Sequence, residues 1–214
     1  MNKTVFVVVV ICLVQWQALA QSDELPKFEV AAEFTTLERE AFSERRTEPG
    51  LGGRFTYNLN KTIAFEAAGY FFPKRCSDCR NPGNIAQGLA GVKVGKRFEH
   101  WGVFGKARPG VISFSRGAFD AFPPAGGSPF SPIQIELKRS TAFAMEVGGV
   151  VEFYPSKRIV TRFDFGDTII HFNRRTMNTV TFDNVTNTII PTTIPLPART
   201  SHNFQFMTSF GFRF

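Results

Sequence analysis

From Phe28 to Phe214 the chain repeats one pattern, with large apolar residues at every second position and small, polar or charged residues between them. Phe28, Val30, Ala32 and Phe34 alternate with Glu29 and Glu33. Leu51, Gly53, Phe55 and Tyr57 alternate with Arg54, Thr56 and Asn58, and Ile63, Phe65, Ala67, Gly69 and Phe71 with Ala64, Glu66 and Ala68. The same period runs through 90–97 (Val92 and Val94 against Lys93), 101–108 (Trp101 and Val103 against Lys106 and Arg108) and 143–153 (Phe143 and Phe153 against Glu146 and Glu152). It returns in 159–165 (Phe163 and Phe165 against Arg162 and Asp164) and in 204–214, where Phe204, Phe206, Phe210, Phe212 and Phe214 share one face. Period two is the signature of a strand with unlike faces, and no helical period exceeds about two turns.

Eight strands is a number that closes a small barrel. The connections alternate in length. Those at 58–61, 99–100 and 154–157 are tight, whereas 37–49, 73–87, 115–138 and 171–199 are long. Short turns at one end and long loops at the other predict an all-β fold, an eight-stranded antiparallel up-and-down transmembrane β-barrel. Both chain ends then lie on the short-turn side, which is the periplasmic side in such barrels.

Alternation does not say which face is outside, but volume does. The interior of an eight-stranded barrel holds only modest side chains. The chain has 25 Phe and 9 Leu, and the Phe face of the eight segments would overfill that interior. The Phe face therefore meets lipid and the charged face lines the lumen. The alternative, a secreted soluble ligand-binding barrel, needs the reverse. Outward aromatics near the turns, Trp101 beside Phe98 and Phe153, form the expected interfacial girdle.

The N-terminus fits export. A basic start at Lys3 leads into an apolar heart, Val5 to Val14, too short to span a bilayer, and Ala18-Leu19-Ala20 supplies small residues for cleavage. The expected organisation is a signal peptide over 1–20 and a barrel domain over 21–214. Removal of Lys3 leaves 24 basic residues against 18 acidic ones, a net charge of +6.

Gly52-Gly53-Arg54-Phe55-Thr56-Tyr57-Asn58-Leu59-Asn60, the following Ala64-Phe65-Glu66-Ala67 and the Phe-terminated last strand resemble the OmpA/OmpX-like outer-membrane β-barrel family. The resemblance covers the mature chain as a pattern and is specific in the hairpin and the last strand. It implies a bacterial outer-membrane location and insertion by the barrel-assembly machinery, which would read the C-terminal aromatics Phe210, Phe212 and Phe214. It also implies contact with outer-membrane lipid and lipopolysaccharide and a monomeric state. The peptidoglycan-binding domain that OmpA adds is not expected.

The interior is expected to carry Glu33, Arg54, Glu66, Lys93, Lys106, Arg108, Glu146, Glu152, Arg162 and Asp164. A turn centred on Asn60 sets Arg54 opposite Glu66. A turn at Glu99-His100 sets Lys93 opposite Lys106 and Gly91 opposite Arg108. Like charges face each other there only if carboxylates interleave. The set reads as a structural polar core, with an ion pathway as the alternative, since eight strands leave little open lumen.

Cys76-Ser77-Asp78-Cys79 falls in the second loop. In an exported loop without a second CxxC or a nearby His, a local disulfide between Cys76 and Cys79 fits better than a metal or redox site. Ser201-His202 suggests a hydrolase, but adjacent strand residues point to opposite faces and no triad forms. No enzymatic activity, cofactor, metal or nucleic-acid partner is expected. The functional expectation is a structural or envelope-integrity role, or surface interaction through four loops with a partner the sequence does not name. A small gated low-conductance channel is the alternative.

Overall fold

The computed structural model describes residues 26–41, 44–73, 83–124, 133–185 and 188–214. The signal segment and the Cys76/Cys79 pair lie outside the described residues. Among the described residues the chain forms ten strands: β1 (Phe28–Ala41), β2 (Glu44–Asn58), β3 (Ile63–Phe72), β4 (Ile85–Arg97), β5 (Trp101–Phe122), β6 (Gln134–Ser156), β7 (Ile159–Phe172), β8 (Arg175–Asp183), β9 (Thr188–Leu196) and β10 (Arg199–Arg213). Eight of them close an antiparallel barrel in the order β1-β10-β7-β6-β5-β4-β3-β2, and β8 and β9 form a separate hairpin. The ring closes where β1 meets β10, from Glu29 opposite Arg213 to Leu37 opposite Gln205.

Three of the four long connections are mostly strand. β1 and β2 stay paired as far as Ala41 and Glu44, so most of 37–49 is ladder. β5 and β6 run 22 and 23 residues, and their pairing continues past a bulge between Phe114 and Ala118 to Phe122 opposite Gln134. A tilted strand crosses a bilayer in about 9–11 residues, so the loop-side half of this hairpin projects beyond the membrane. The fourth connection holds the β8–β9 hairpin. Its Thr, Val and Ile content suits a strand, and Pro191 and Pro195 keep β9 short of a ladder donor at two positions.

The outward face is apolar. Leu51 (67% exposed), Phe212 (58%) and Phe143 (51%) belong to a belt completed by Val30, Phe34, Phe55, Phe65, Phe71, Val103, Phe165, Phe204 and Phe210. Water would make this surface an aggregation hazard, whereas lipid is its matching solvent. At the turn end Phe98 stacks on Trp101 at 4.4 Å, and Phe28 gathers Tyr57 (5.3 Å), Phe55 (5.9 Å) and Phe214 (6.0 Å). This aromatic band marks the turn-side interface. The soluble-barrel alternative fails on this geometry, because the apolar face is outside and the charged face inside.

The lipid face sets a depth-dependent prediction. Phe210→Arg, four residues in from Phe214 along the lipid face, is expected to cost about 2–4 kcal/mol of folding stability in vesicles, and Phe28→Arg at the interface about 0–1 kcal/mol. Denaturant titration of the heat-sensitive gel shift in lipid vesicles measures both.

Candidate functional site: the barrel lumen and the loop-end hairpins

Between Asn58 and Ile63 the chain reverses in a turn closed by one side chain. Asn60 Oδ1 accepts from the backbone N–H of both Thr62 and Ile63, each at 2.8 Å. That extra hydrogen bonding carries the loop past Asn60, and Asn58 pairs with Ala64. The register therefore differs from the one expected for a turn centred on Asn60. Arg54 stands opposite Ala68, and Glu66 opposite Thr56. The second hairpin has the expected register, with Lys93 opposite Lys106 and an added Cβ at Gly91 2.7 Å from Arg108 Cα.

Glu33, Arg54, Glu66, Lys93, Lys106, Arg108, Glu146, Glu152, Arg162 and Asp164 all lie buried inside the ring. Five are basic and five acidic, and they interleave. Arg162, on β7, stands diametrically across the ring from β3. Its guanidinium donates to both Glu66 oxygens, with Nη2 to Oε2 at 3.1 Å, and holds Asp164 through Nε (2.5 Å) and Nη2 (2.7 Å). Lys93 pairs with Glu152 and sits 3.6 Å from Glu66. Lys106 bridges Asp164 at 2.6 Å and Glu146 at 2.5 Å. Arg108 donates to Glu146 through Nε (2.8 Å) and Nη2 (2.6 Å), and to the Tyr70 hydroxyl at 3.1 Å. Tyr70 donates in turn to Glu33 at 2.5 Å, and Glu33 takes Arg54 at 3.3 Å. So Arg54 is the partner of Glu33, on the strand preceding its own, and not of Glu66. Gly52 makes room for this chain: a Cβ there would lie 2.3 Å from the Tyr70 ring.

A second ionic group closes the turn end. Arg97 and Arg213 both reach Glu29 at 3.4 Å, and Arg97 donates to the Tyr154 hydroxyl at 2.9 Å. Tyr154 donates to Glu152 at 2.8 Å and so joins the two groups.

Charge does not fill the whole interior. Toward the loops comes a belt of neutral polar groups, with Gln205 donating to Thr35 (3.0 Å) and Gln87 (3.2 Å) while accepting from Thr168 (2.5 Å). Beyond it Leu37, Phe72, Ile85, Leu89, Ile112, Phe114, Ile170 and their neighbours form an apolar plug inside the ring, with Phe172 packed against it. Arg39 and Arg199 cap it over the Phe114 and Phe172 rings, at 5.2 and 5.1 Å. The sequence reading missed this storey because it ended strand one at Phe34, strand five at Arg108 and strand seven at Phe165. The signal was present: on the charged face, Arg162 and Asp164 are followed in phase by Thr168, Ile170 and Phe172.

Outside the membrane the β8–β9 hairpin docks on β5. Asp120 accepts the Asn178 backbone N–H at 2.9 Å and Lys138 Nζ at 2.7 Å, and Arg175 donates to Gly117 O at 3.4 Å. The Lys138 hydrogen bond, then the Asn178 N–H, holds the Asp120 carboxyl below its ordinary range, and Lys138 is raised by the same contact. His202 pairs with Asp167 at 2.5 Å on the outer face, while Ser201 accepts from Asn203 at 3.1 Å, so the two neighbours have different partners. Among the described residues no group of three or more His, Cys, Asp or Glu is arranged to hold a metal.

Solved structures share this architecture. Neisserial surface protein A (NspA) superposes with a TM-score of 0.52 at 9% identity, over 88% of this chain and 97% of that one. Ail, the attachment invasion locus protein of Yersinia pestis, gives 0.48 at 13% identity over 89% and 100%. The N-terminal β-barrel domain of Pseudomonas aeruginosa OprF gives 0.43 at 10% over 87% and 97%. At this identity the likeness is one of fold. No family model and no curated protein matches the chain. The fold is that of the eight-stranded outer-membrane β-barrels of OmpA/OmpX-like type.

Two predictions follow from these contacts. Glu66→Ala leaves Arg162 without its cross-lumen partner and is expected to cost about 3–5 kcal/mol, because an uncompensated charge stays buried. A double-mutant cycle should show Glu66 coupled to Arg162 by more than about 1 kcal/mol, and to Arg54 by less. Denaturant unfolding in vesicles reads both couplings.

The depressed Asp120 favours docking of the hairpin. That contribution is complete above the ordinary carboxylate value of about 4 and is lost as pH falls through the lower, docked-state value. The Asn178 amide resonance should titrate with a midpoint below about 4 and lose that titration in Asp120→Asn. Asp120→Ala should speed tryptic cleavage at Arg174 and Arg175 at pH 7.

Proposed function

We propose that the protein is a bacterial outer-membrane barrel with a closed core, whose role is envelope integrity or surface interaction through its loop-end hairpins. Turns and termini face the periplasm, and the β5–β6 and β8–β9 hairpins face outward. The observation that carries this reading is the filled interior. Ile112 and Ile170 in the plug, and Lys93, Arg108 and Arg162 in the ionic storey, have no exposed surface. Conduction would require an apolar plug and a neutralised ion lattice to part together, which disfavours the channel alternative. What remains available to partners is the surface outside the membrane. Phe119, Ile135 and Leu137 are exposed along the β5–β6 extension, and Phe182, Ile190 and Ile194 on the β8–β9 hairpin. Exposed apolar residues on projecting hairpins suit protein contact.

The same reading makes outer-membrane lipid and lipopolysaccharide the surroundings of the belt and the barrel-assembly machinery the agent of insertion. Phe210, Phe212 and Phe214, all outward and exposed, are then the residues that machinery reads. The protein acts as a monomer, and Cys76 and Cys79 form a local disulfide. A hydrolytic role has no support in the pairing of His202.

Reconstituted protein in salt-loaded liposomes is expected to give ion flux no greater than empty vesicles, and to partition with outer membranes on cell fractionation. Reproducible unitary conductance from the wild-type protein would replace this reading with the channel. Loss of bacterial attachment or detergent resistance on deleting residues 176–195, with the heat-sensitive gel shift intact, would separate surface interaction from envelope integrity.

A further inference from the structure

We propose that the turn end of the lumen binds a small oxyanion that carries its own hydroxyl, of the hydrogen phosphate kind, taken from the solution on the turn side. The inference rests on the barrel fold and its turn-end side chains, and not on the role of the loop-end hairpins.

Arg97, Arg213 and Asn58 are the last residues of β4, β10 and β2, and Glu29 is the second of β1. Glu29 Oε1 accepts from Asn58 Nδ2 at 2.8 Å and lies 3.4 Å from both Arg97 Nη2 and Arg213 Nε. The Arg97 and Arg213 side chains are 6% and 5% exposed, and that of Glu29 is fully buried. Three buried atoms of this group have no hydrogen-bond partner in the protein: Arg97 Nη1, Arg213 Nε and Glu29 Oε2. Two are donors on cations, and the third is an acceptor on the carboxylate that both cations share. Buried polar atoms are rarely left in this state.

Charge selects the sign of the ligand. The ten-residue lattice above is neutral, with five basic and five acidic side chains, whereas here two arginines share one glutamate. Arg97 also lies 3.6 Å from Glu152, but that carboxylate serves Lys93 and Arg162. Among these buried residues the turn-end group carries one positive charge in excess. Water would satisfy the two donors and leave the charge, whereas an anion answers both.

The orphaned acceptor selects the kind of anion. Chloride or sulfate would turn only lone pairs toward Glu29 Oε2. A hydrogen phosphate ion accepts from Arg97 Nη1 and Arg213 Nε and donates its own O–H to Glu29 Oε2, so all three atoms find partners. The two guanidiniums are already held in place. Arg97 Nε donates to the Tyr154 hydroxyl at 2.9 Å and Nη2 to Asn58 Oδ1 at 3.1 Å, and Arg213 lies over the Tyr154 ring at 4.2 Å. Planar donors fixed in this way lose little freedom on taking an oxyanion.

The full barrel in octyl glucoside, free of phosphate and at constant ionic strength, would be titrated calorimetrically at pH 7 with inorganic phosphate, sulfate and chloride. Phosphate is expected to bind saturably at one site, about tenfold or more tighter than sulfate, because a site built to accept an O–H rejects the analogue that lacks it. Arg97→Lys and Arg213→Lys keep the charge and remove the orphaned donors, and each should weaken phosphate binding about tenfold. Glu29→Gln should lose most of the preference for phosphate over sulfate. The heat-sensitive gel shift checks that each variant is folded; if none folds, the wild-type competition between phosphate and sulfate decides alone. Glycerol 3-phosphate keeps the hydroxyl and adds a tail. Weaker binding than inorganic phosphate supports a free ion, and tighter binding overturns that assignment. No saturable binding, equal binding of phosphate and sulfate, or unchanged binding in both arginine variants overturns the proposal.

Discussion

The Arg162–Glu66 brace is the contact on which the rest of the lumen depends. It joins β7 to β3, opposite walls of the ring that share no strand pairing. A ring of eight strands leaves no room for a wet pore, so every charge on the inner face must find its counter-charge within the ring. Arg162 can do this because a guanidinium presents several donors in one plane, and it spans Glu66 on one side and Asp164 on the other. Removing either partner would strand a charge where water does not reach. The brace therefore ties opposite walls together, and Lys93 and Arg108, which also lie 3.6 and 3.4 Å from Glu66, pair beside it with Glu152 and Glu146.

This arrangement divides the interior into storeys with different physics. Near the turns, ion pairs and cation–aromatic contacts close the barrel, with Arg213 4.2 Å from the Tyr154 ring. In the middle lies the neutralised lattice. Toward the loops, a belt of amide and hydroxyl groups gives way to an apolar plug, which needs no counter-charge. An ionic lattice fixes partners and register, and a packed apolar plug excludes water and ions. Together they make a rigid post. The outer surface answers to lipid along the belt, leaving the projecting hairpins to meet other molecules.

The hairpins show how a post of this kind acquires a working surface. β5 and β6 extend beyond the membrane because their alternation continues through a bulge, which re-aims Asp120 toward β8. One carboxylate then takes the backbone of Asn178 and the Lys138 ammonium and fixes the β8–β9 hairpin beside the extension. The latch lies outside the membrane and stands apart from the lattice beneath it.

Period-two alternation, read with the volume of Phe, was enough to determine the all-β class, the closed ring of eight and the orientation of both faces, because side chains on a strand have only two directions. The same parity put all ten charged residues inside. Three things needed the tertiary structure. That Arg54 does not stand opposite Glu66 depended on Asn60 closing the β2–β3 turn through its own side chain, and its pairing with Glu33 depended on the separate register of β1 on β2. The cross-lumen partners depended on ring closure, since Glu66 and Arg162 are 96 residues apart and become neighbours only across a cylinder. The apolar plug was hidden because Leu37, Ile112 and Ile170 lie beyond the segments where alternation is strongest, and an apolar residue on the inner face breaks the contrast on which pattern reading relies. Sequence parity decides which wall a side chain faces, and only the closed barrel decides what stands opposite.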